Sequence, residues 1–127
     1  MFQLTPDIEK IAINTAKKSN QRKVKMAAIV ISSHLNPKIV STLHANNYNI
    51  FDNTKKRSIH AEEHLIIKAA RMGVSLKGST VLTYRYTKGI PGSSRPCNVC
   101  QEKLKKAGVG KIIYRHSNKW ITERIVK

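Results

Sequence analysis

Two short runs hold the residues able to do chemistry: His60-Ala61-Glu62-Glu63-His64 and Pro96-Cys97-Asn98-Val99-Cys100. The first divides in three ways. As H-x-x-E-H it offers His60 and His64 as ligands and Glu63 as base, the pattern of an inverted zinc peptidase. That use needs a later acid as third ligand. Only Glu102 and Glu123 lie downstream, and the cysteines would stand idle. As H-x3-H it gives two imidazoles at i,i+4, which two thiolates would complete as a closed Cys2His2 zinc site. A domain with its own sheet and helices has little need of that metal. As H-x-E it gives one ligand, His60, and an acid, Glu62, available for proton transfer.

Cysteines three apart on a helix share a face, so Cys97 and Cys100 can reach one ion. Pro96 suits a helix start, where its missing N–H costs nothing. The partial positive charge of a helix amino terminus favours thiolate, the form that binds metal. A redox dithiol is the competing reading, but no aromatic precedes Cys97 and no Gly-Pro lies between the pair. His60, Cys97 and Cys100 would leave a fourth position for water, whose pKa bound zinc lowers toward ~7. Glu62 is not expected to ligate beside His60, because residues two apart do not share a helical face. By spacing alone Glu63 is the nearer partner, so geometry does not choose between the two acids.

The elements that must position these residues follow from local pattern. Thr5-Pro6-Asp7 opens a helix that Lys17 and Lys18 close, with Ile8, Ile11 and Ala12 at helical spacing. Val24 to Ser33 reads as a buried strand, Asn36-Pro37 as a turn, and Ile39 to Ala45 as its hairpin partner. The asparagine-rich stretch from Asn46 to Ser58 reads as loop. Ile59 to Met72 is a helix stopped by Gly73, Thr80 to Tyr86 a strand, and Thr87 to Arg95 a loop. Cys97 to Ala107 is a helix stopped by Gly108. Lys111 to Arg115 and Trp120 to Val126 are closing strands around Ser117-Asn118, the last open to a helical alternative. Strands separated by helices imply parallel pairs, and the opening hairpin adds an antiparallel one. The expected architecture is α/β: one domain over residues 1–127, a mixed five-stranded sheet with helices packed on it.

"IHAEEHLI" followed by "RPCNVCQEKLKKAGVGKIIY" resembles the zinc-dependent cytidine/deoxycytidylate deaminase superfamily, whose signature is H-x-E…P-C-x-x-C. The resemblance covers nearly the whole chain. It implies a cytidine-deaminase-like three-layer fold with helices on both faces. It also implies zinc held by His60, Cys97 and Cys100, and Glu62 as proton shuttle. The reaction implied is hydrolytic deamination at C4 of cytosine, with the Ala61 amide facing the base. Family members carry an asparagine after the second strand, often as G-x-N, that binds the sugar. Here the text is "LHANNYN", without the glycine, so Asn46 is the first candidate and Asn47 the second, with Asn49 behind them. Small domains of this superfamily commonly assemble, which leaves a homo-oligomer open.

Twenty-four Lys and Arg against seven Asp and Glu give a net charge of +17, which draws polyanions without identifying one. Lys55-Lys56-Arg57 precedes His60, while Arg85, Lys88 and Arg95 lie on the segment entering the cysteines. Arg95, beside Pro96, is placed to grip a phosphate bidentately. A phosphorylated cytosine nucleotide is therefore expected, deoxycytidylate ahead of single-stranded DNA or RNA. Lys17, Lys18, Arg22, Lys23 and Lys25 form a second cluster that suits a longer polyanion. A non-catalytic, basic nucleic-acid-binding protein with a structural zinc is the rival from another class. No apolar run is long enough to span a bilayer, the first residues do not read as a secretory signal, and a Cys97–Cys100 disulfide would close a trivial loop. A reducing, cytoplasmic setting with no membrane partner is the expectation.

Overall fold

The computed structural model describes residues 6–20, 25–32, 44–51, 56–86, 95–116 and 119–125. Thr5, the Asn36-Pro37 turn, most of the strand expected from Ile39, the loop from Thr87 and the Ser117-Asn118 turn lie outside them, as do Arg22, Lys23, Lys55 and Lys88. The elements are α1 (Pro6–Lys17), β1 (Lys25–Ser32), β2 (His44–Asn46), β3 (Tyr48–Phe51), β4 (Lys56–Ile59), α2 (Ala61–Arg71), β5 (Thr80–Tyr86), α3 (Asn98–Lys106), β6 (Lys111–His116) and β7 (Lys119–Arg124).

Five strands form one mixed sheet in the order β2-β1-β5-β6-β7. β1 is antiparallel to both β2 and β5, β5 and β6 are parallel, and β7 returns antiparallel to β6. The crossover through α3 thus joins adjacent parallel strands. The one through α2 joins β2 to β5 with β1 between them.

Strand alternation divides β1 between two cores. Ala28 and Val30 face α2 and α3, packing with Ala45, Leu65, Ala69, Val81, Leu104, Ile112 and Tyr114. Ile29 turns the other way, with Leu82 and Ile113, toward Ile8, Ile11 and Ala12 of α1. One helix covers one face and two cover the other, so the three layers follow from period-2 strands meeting amphipathic helices. Trp120 and Tyr84 stack at 6.5 Å beside the α1 layer.

The segment read as loop is a correction. Tyr48–Phe51 and Lys56–Ile59 pair antiparallel as a separate two-stranded hairpin, with Tyr48 opposite Ile59 and Asn49 opposite Ser58. Asn46, expected in that loop, closes β2. Ile59, expected in the helix, is strand. The reason is tertiary: Asn20, just past α1, acts as a partner strand would. Its Oδ1 accepts from the Asn49 N–H at 2.6 Å and its Nδ2 donates to the Asn49 carbonyl at 3.0 Å. The last element is a strand. Among the described residues no helix is long and apolar enough to cross a membrane.

Candidate active site

α2 and α3 begin alike. His60 is the N-cap of α2 and Cys97 the N-cap of α3, both in extended backbone, and neither side chain caps its helix. Their carbonyls take the first helical bonds, from the His64 N–H at 3.0 Å and the Gln101 N–H at 2.9 Å. A Ser or Asp at such a position would fold back onto the helix. Here the side chains turn away from their helices and meet. His60 Nδ1 lies 3.2 Å from Cys100 Sγ and 3.7 Å from Cys97 Sγ. The ligand atoms of His60, Cys97 and Cys100 all fall within 4.8 Å of one another, the one such group among the described residues that could hold a metal.

Zinc fits this donor set. Tetrahedral Zn–N and Zn–S bonds put nitrogen and sulfur roughly 3.5 Å apart and two sulfurs roughly 3.8 Å apart. Cys97 is the N-cap of α3 and Cys100 lies in its first turn, so both sulfurs stand at one helix end. Burial of Cys100 and the neighbouring Glu62 push its thiol well up, a direction that a bound dication reverses.

Glu62, in the first turn of α2, is 3% exposed. Burial raises its carboxyl above the usual range. A hydrogen bond from Cys100, the nearby His60 and its own backbone N–H counter part of that rise, while Glu63 adds to it. A carboxyl whose proton is held this way, beside the His60, Cys97 and Cys100 cluster, has the setting of a proton-exchanging acid.

The other two residues of the motif are committed elsewhere. Glu63 pairs with Lys103 at 3.1 Å. His64 donates from Nδ1 to the Asn46 carbonyl at 2.7 Å and meets the Tyr48 ring edge-on at 4.8 Å. His64 therefore ties α2 to the β2–β3 edge, and the H-x-x-E-H and Cys2His2 divisions both lose a ligand.

Ala61 is buried at the first position of α2, where backbone N–H groups lack intrahelical acceptors. Asn46 donates from Nδ2 to the Asn47 carbonyl at 2.8 Å. Asn47 is 5% exposed, its Oδ1 accepts from the Met26 N–H at 2.8 Å, and its own N–H returns to the Met26 carbonyl at 3.1 Å. Asn49 is buried too, and its Oδ1 has no hydrogen-bond partner. Arg95 is exposed, gives Nη2 to Glu123 Oε1 at 3.2 Å and lies 5.7 Å from the Tyr114 ring centre. Arg85 pairs with Met26 across β1 and β5 and keeps a buried Nε without a partner. Lys17 sits 5.5 Å over the Tyr86 ring, and Lys25 is the cross-strand partner of Tyr86, at the β5 end that leads toward α3. The roles of Asn20 and of the partner that His64 finds were not legible from local pattern, because each acts on a backbone group far along the chain.

The family model for the cytidine and deoxycytidylate deaminase zinc-binding region matches residues 6–116. No curated protein sequence matches the chain. Among solved structures, a cytidine deaminase from Burkholderia pseudomallei superposes with a TM-score of 0.66 at 13% identity, over 91% of this chain and 88% of that one. A dCMP deaminase from the cyanophage S-TIM5, in complex with dCMP and dUMP, gives 0.51 at 21% identity, over 87% and 82%. Its apo form gives 0.52 at 20% identity, over 86% and 82%.

Proposed function

The chain belongs to the cytidine and deoxycytidylate deaminase zinc-binding region family, and on that premise we propose that it hydrolyses the C4–N bond of a phosphorylated cytosine substrate, deoxycytidylate first. The observation that carries this reading is the buried Glu62 carboxyl against Cys100, inside the His60, Cys97 and Cys100 cluster. Those three residues would hold zinc, which would supply the Lewis acidity that makes water a nucleophile. Glu62 would carry the attacking water's protons, one to the ring nitrogen N3 and one to the departing amine. The C4–N bond breaks, ammonia leaves and the water oxygen remains as the uracil carbonyl, so atoms balance. The Ala61 amide meets the base. Asn46 and Asn47 would contact the sugar, with Asn47 also holding Met26.

A phosphate is met by Arg95, which exchanges an exposed, weakly held Glu123 for it. Glu62→Gln is expected to lower turnover about 100-fold or more while zinc content stays at the wild-type value. Ammonia release and metal analysis on one sample check this, and full activity in the variant would overturn the mechanism.

Single-stranded nucleic acid is a second reading, favoured by Lys17 over Tyr86, a cation and an aromatic where a phosphate and a stacked base could lie. A steep loss of binding with salt supports it, and a shallow slope with good turnover of the monophosphate removes it.

A further inference from the structure

The opposite end of the sheet carries a feature the deamination reading leaves unused. Where α2 and α3 end and β5 and β6 begin, a groove of ≈ 540 Å³ is lined by Lys77, Gly78, Thr80, Gly108, Gly110, Lys111 and Arg124. Three of these are exposed cations and none is an acid. Thr80 is the cross-strand partner of Lys111, and Lys111 of Arg124, so the three lie in one row across β5, β6 and β7. Strands run about 4.8 Å apart, so the Lys111 and Arg124 heads can reach one ligand. Like charges set directly opposite oppose sheet formation.

Nothing described nearby relieves that repulsion. Neither the Arg95–Glu123 nor the Lys103–Glu63 ion pair includes a groove cation. Glu123 neighbours Arg124 in sequence but points to the other face of β7. Balancing the helix ends does not require these cations either: α2 already closes on Lys68 and Arg71, and α3 on Lys103, Lys105 and Lys106.

The floor is firm backbone. The Gly78 N–H donates to the Gly108 carbonyl at 2.9 Å and the Gly110 N–H to the Ser79 carbonyl at 2.9 Å. Gly108, at φ +93, packs so closely that an added Cβ would lie 2.9 Å from Lys77 Cα. That approach fixes where Lys77 leaves the chain, beside two glycines that place no side chain in an anion's path.

We propose that this groove binds phosphate groups, through Lys77, Lys111 and Arg124 with the Thr80 hydroxyl, at a site separate from the deaminase centre. The length of α2, about 16 Å for 11 residues, stands between the two. The same chemistry serves a free phosphate chain and a nucleic-acid backbone, so the test has two arms. Inorganic tripolyphosphate is titrated calorimetrically, and a fluorescent thymidine-only oligonucleotide, which offers no cytosine, is followed by anisotropy across a salt series.

The double variant Lys111→Gln/Arg124→Gln is compared with a control losing the same charge elsewhere, Lys10→Gln/Lys119→Gln. The groove variant is expected to weaken one or both probes about tenfold, and to reduce the oligonucleotide's log–log salt slope by about 1.4. The control should stay near wild type, and both variants should keep wild-type turnover of deoxycytidylate. Groove-dependent tripolyphosphate binding alone identifies a free phosphate chain as the occupant; the slope change identifies a nucleic-acid backbone. Equal weakening in groove variant and control, or no binding of either probe by the wild-type protein, overturns the proposal.

Discussion

The two ends of α2 and α3 are built on opposite rules. At their starts, side chains that would normally cap are replaced by His60 and Cys97, which turn outward and leave capping undone. At their finishes, the backbone does everything. Gly73 N–H reaches the Ala70 carbonyl and Val74 N–H the Ala69 carbonyl; Gly108 and Val109 repeat this on Lys105 and Leu104. Both are Schellman closures, with Val74 and Val109 packing into the core that holds Ala69 and Leu104. One end is thus secured without polar side chains, and the other is left free to use its side chains for chemistry. The fold stabilises the helices where nothing reacts.

Removing the metal tests that division most severely. Cys100→Ser is expected to lose zinc and essentially all turnover, while the far groove keeps its affinity for tripolyphosphate. Chelation of the wild-type protein should do the same and be reversed by added zinc. Zinc content, ammonia release and calorimetry on each sample check this. A Cys100→Ser protein that keeps zinc and activity would break the division at its chemical end.

The closing end is sharpened by its two glycines. Both have positive φ, +67 at Gly73 and +93 at Gly108, but a Cβ at Gly73 meets nothing within 4 Å, whereas one at Gly108 meets the Lys77 backbone. Gly73→Ala should cost about 1 kcal/mol, the usual left-handed penalty. Gly108→Ala should cost clearly more, by about a further 1–2 kcal/mol, because backbone must move. Urea unfolding of the two variants measures the gap, and equal midpoints would show that the close approach carries no weight.

Much of this was open to reading in the chain itself. Gly73 and Gly108 stop their helices because few other residues accept that backbone, and the β-branched runs at β1, β5 and β6 declare themselves. The grouping of His60, Cys97 and Cys100 could be expected because their spacing matches a signature, whereas helix geometry did not choose Glu62 over Glu63. What stayed hidden depends on partners distant in sequence. The hairpin of β3 and β4 leans on Asn20, 29 residues before Asn49. Arg95, read as a free phosphate grip, already holds Glu123, 28 residues on. Asn47, read as a sugar contact, also holds the start of β1 through Met26. Local pattern carries no trace of such pairings, since each joins ordinary polar residues that any loop could contain.

The finest test separates two adjacent acids that the sequence alone could not rank. Glu62 is buried beside the His60, Cys97 and Cys100 cluster, whereas Glu63, one residue on, reaches Lys103 on α3 across partly exposed surface. A pair of that kind contributes at most about 1 kcal/mol, because water screens it and two long side chains must be held in place. Glu63→Gln should therefore shift stability by less than about 1 kcal/mol and leave both zinc content and kcat near wild type. Urea midpoints and ammonia release check both halves. If Glu63→Gln were to lose turnover as completely as Glu62→Gln, the proton would be moving through the residue that faces away from the zinc ligands, and the motif would have to be divided again.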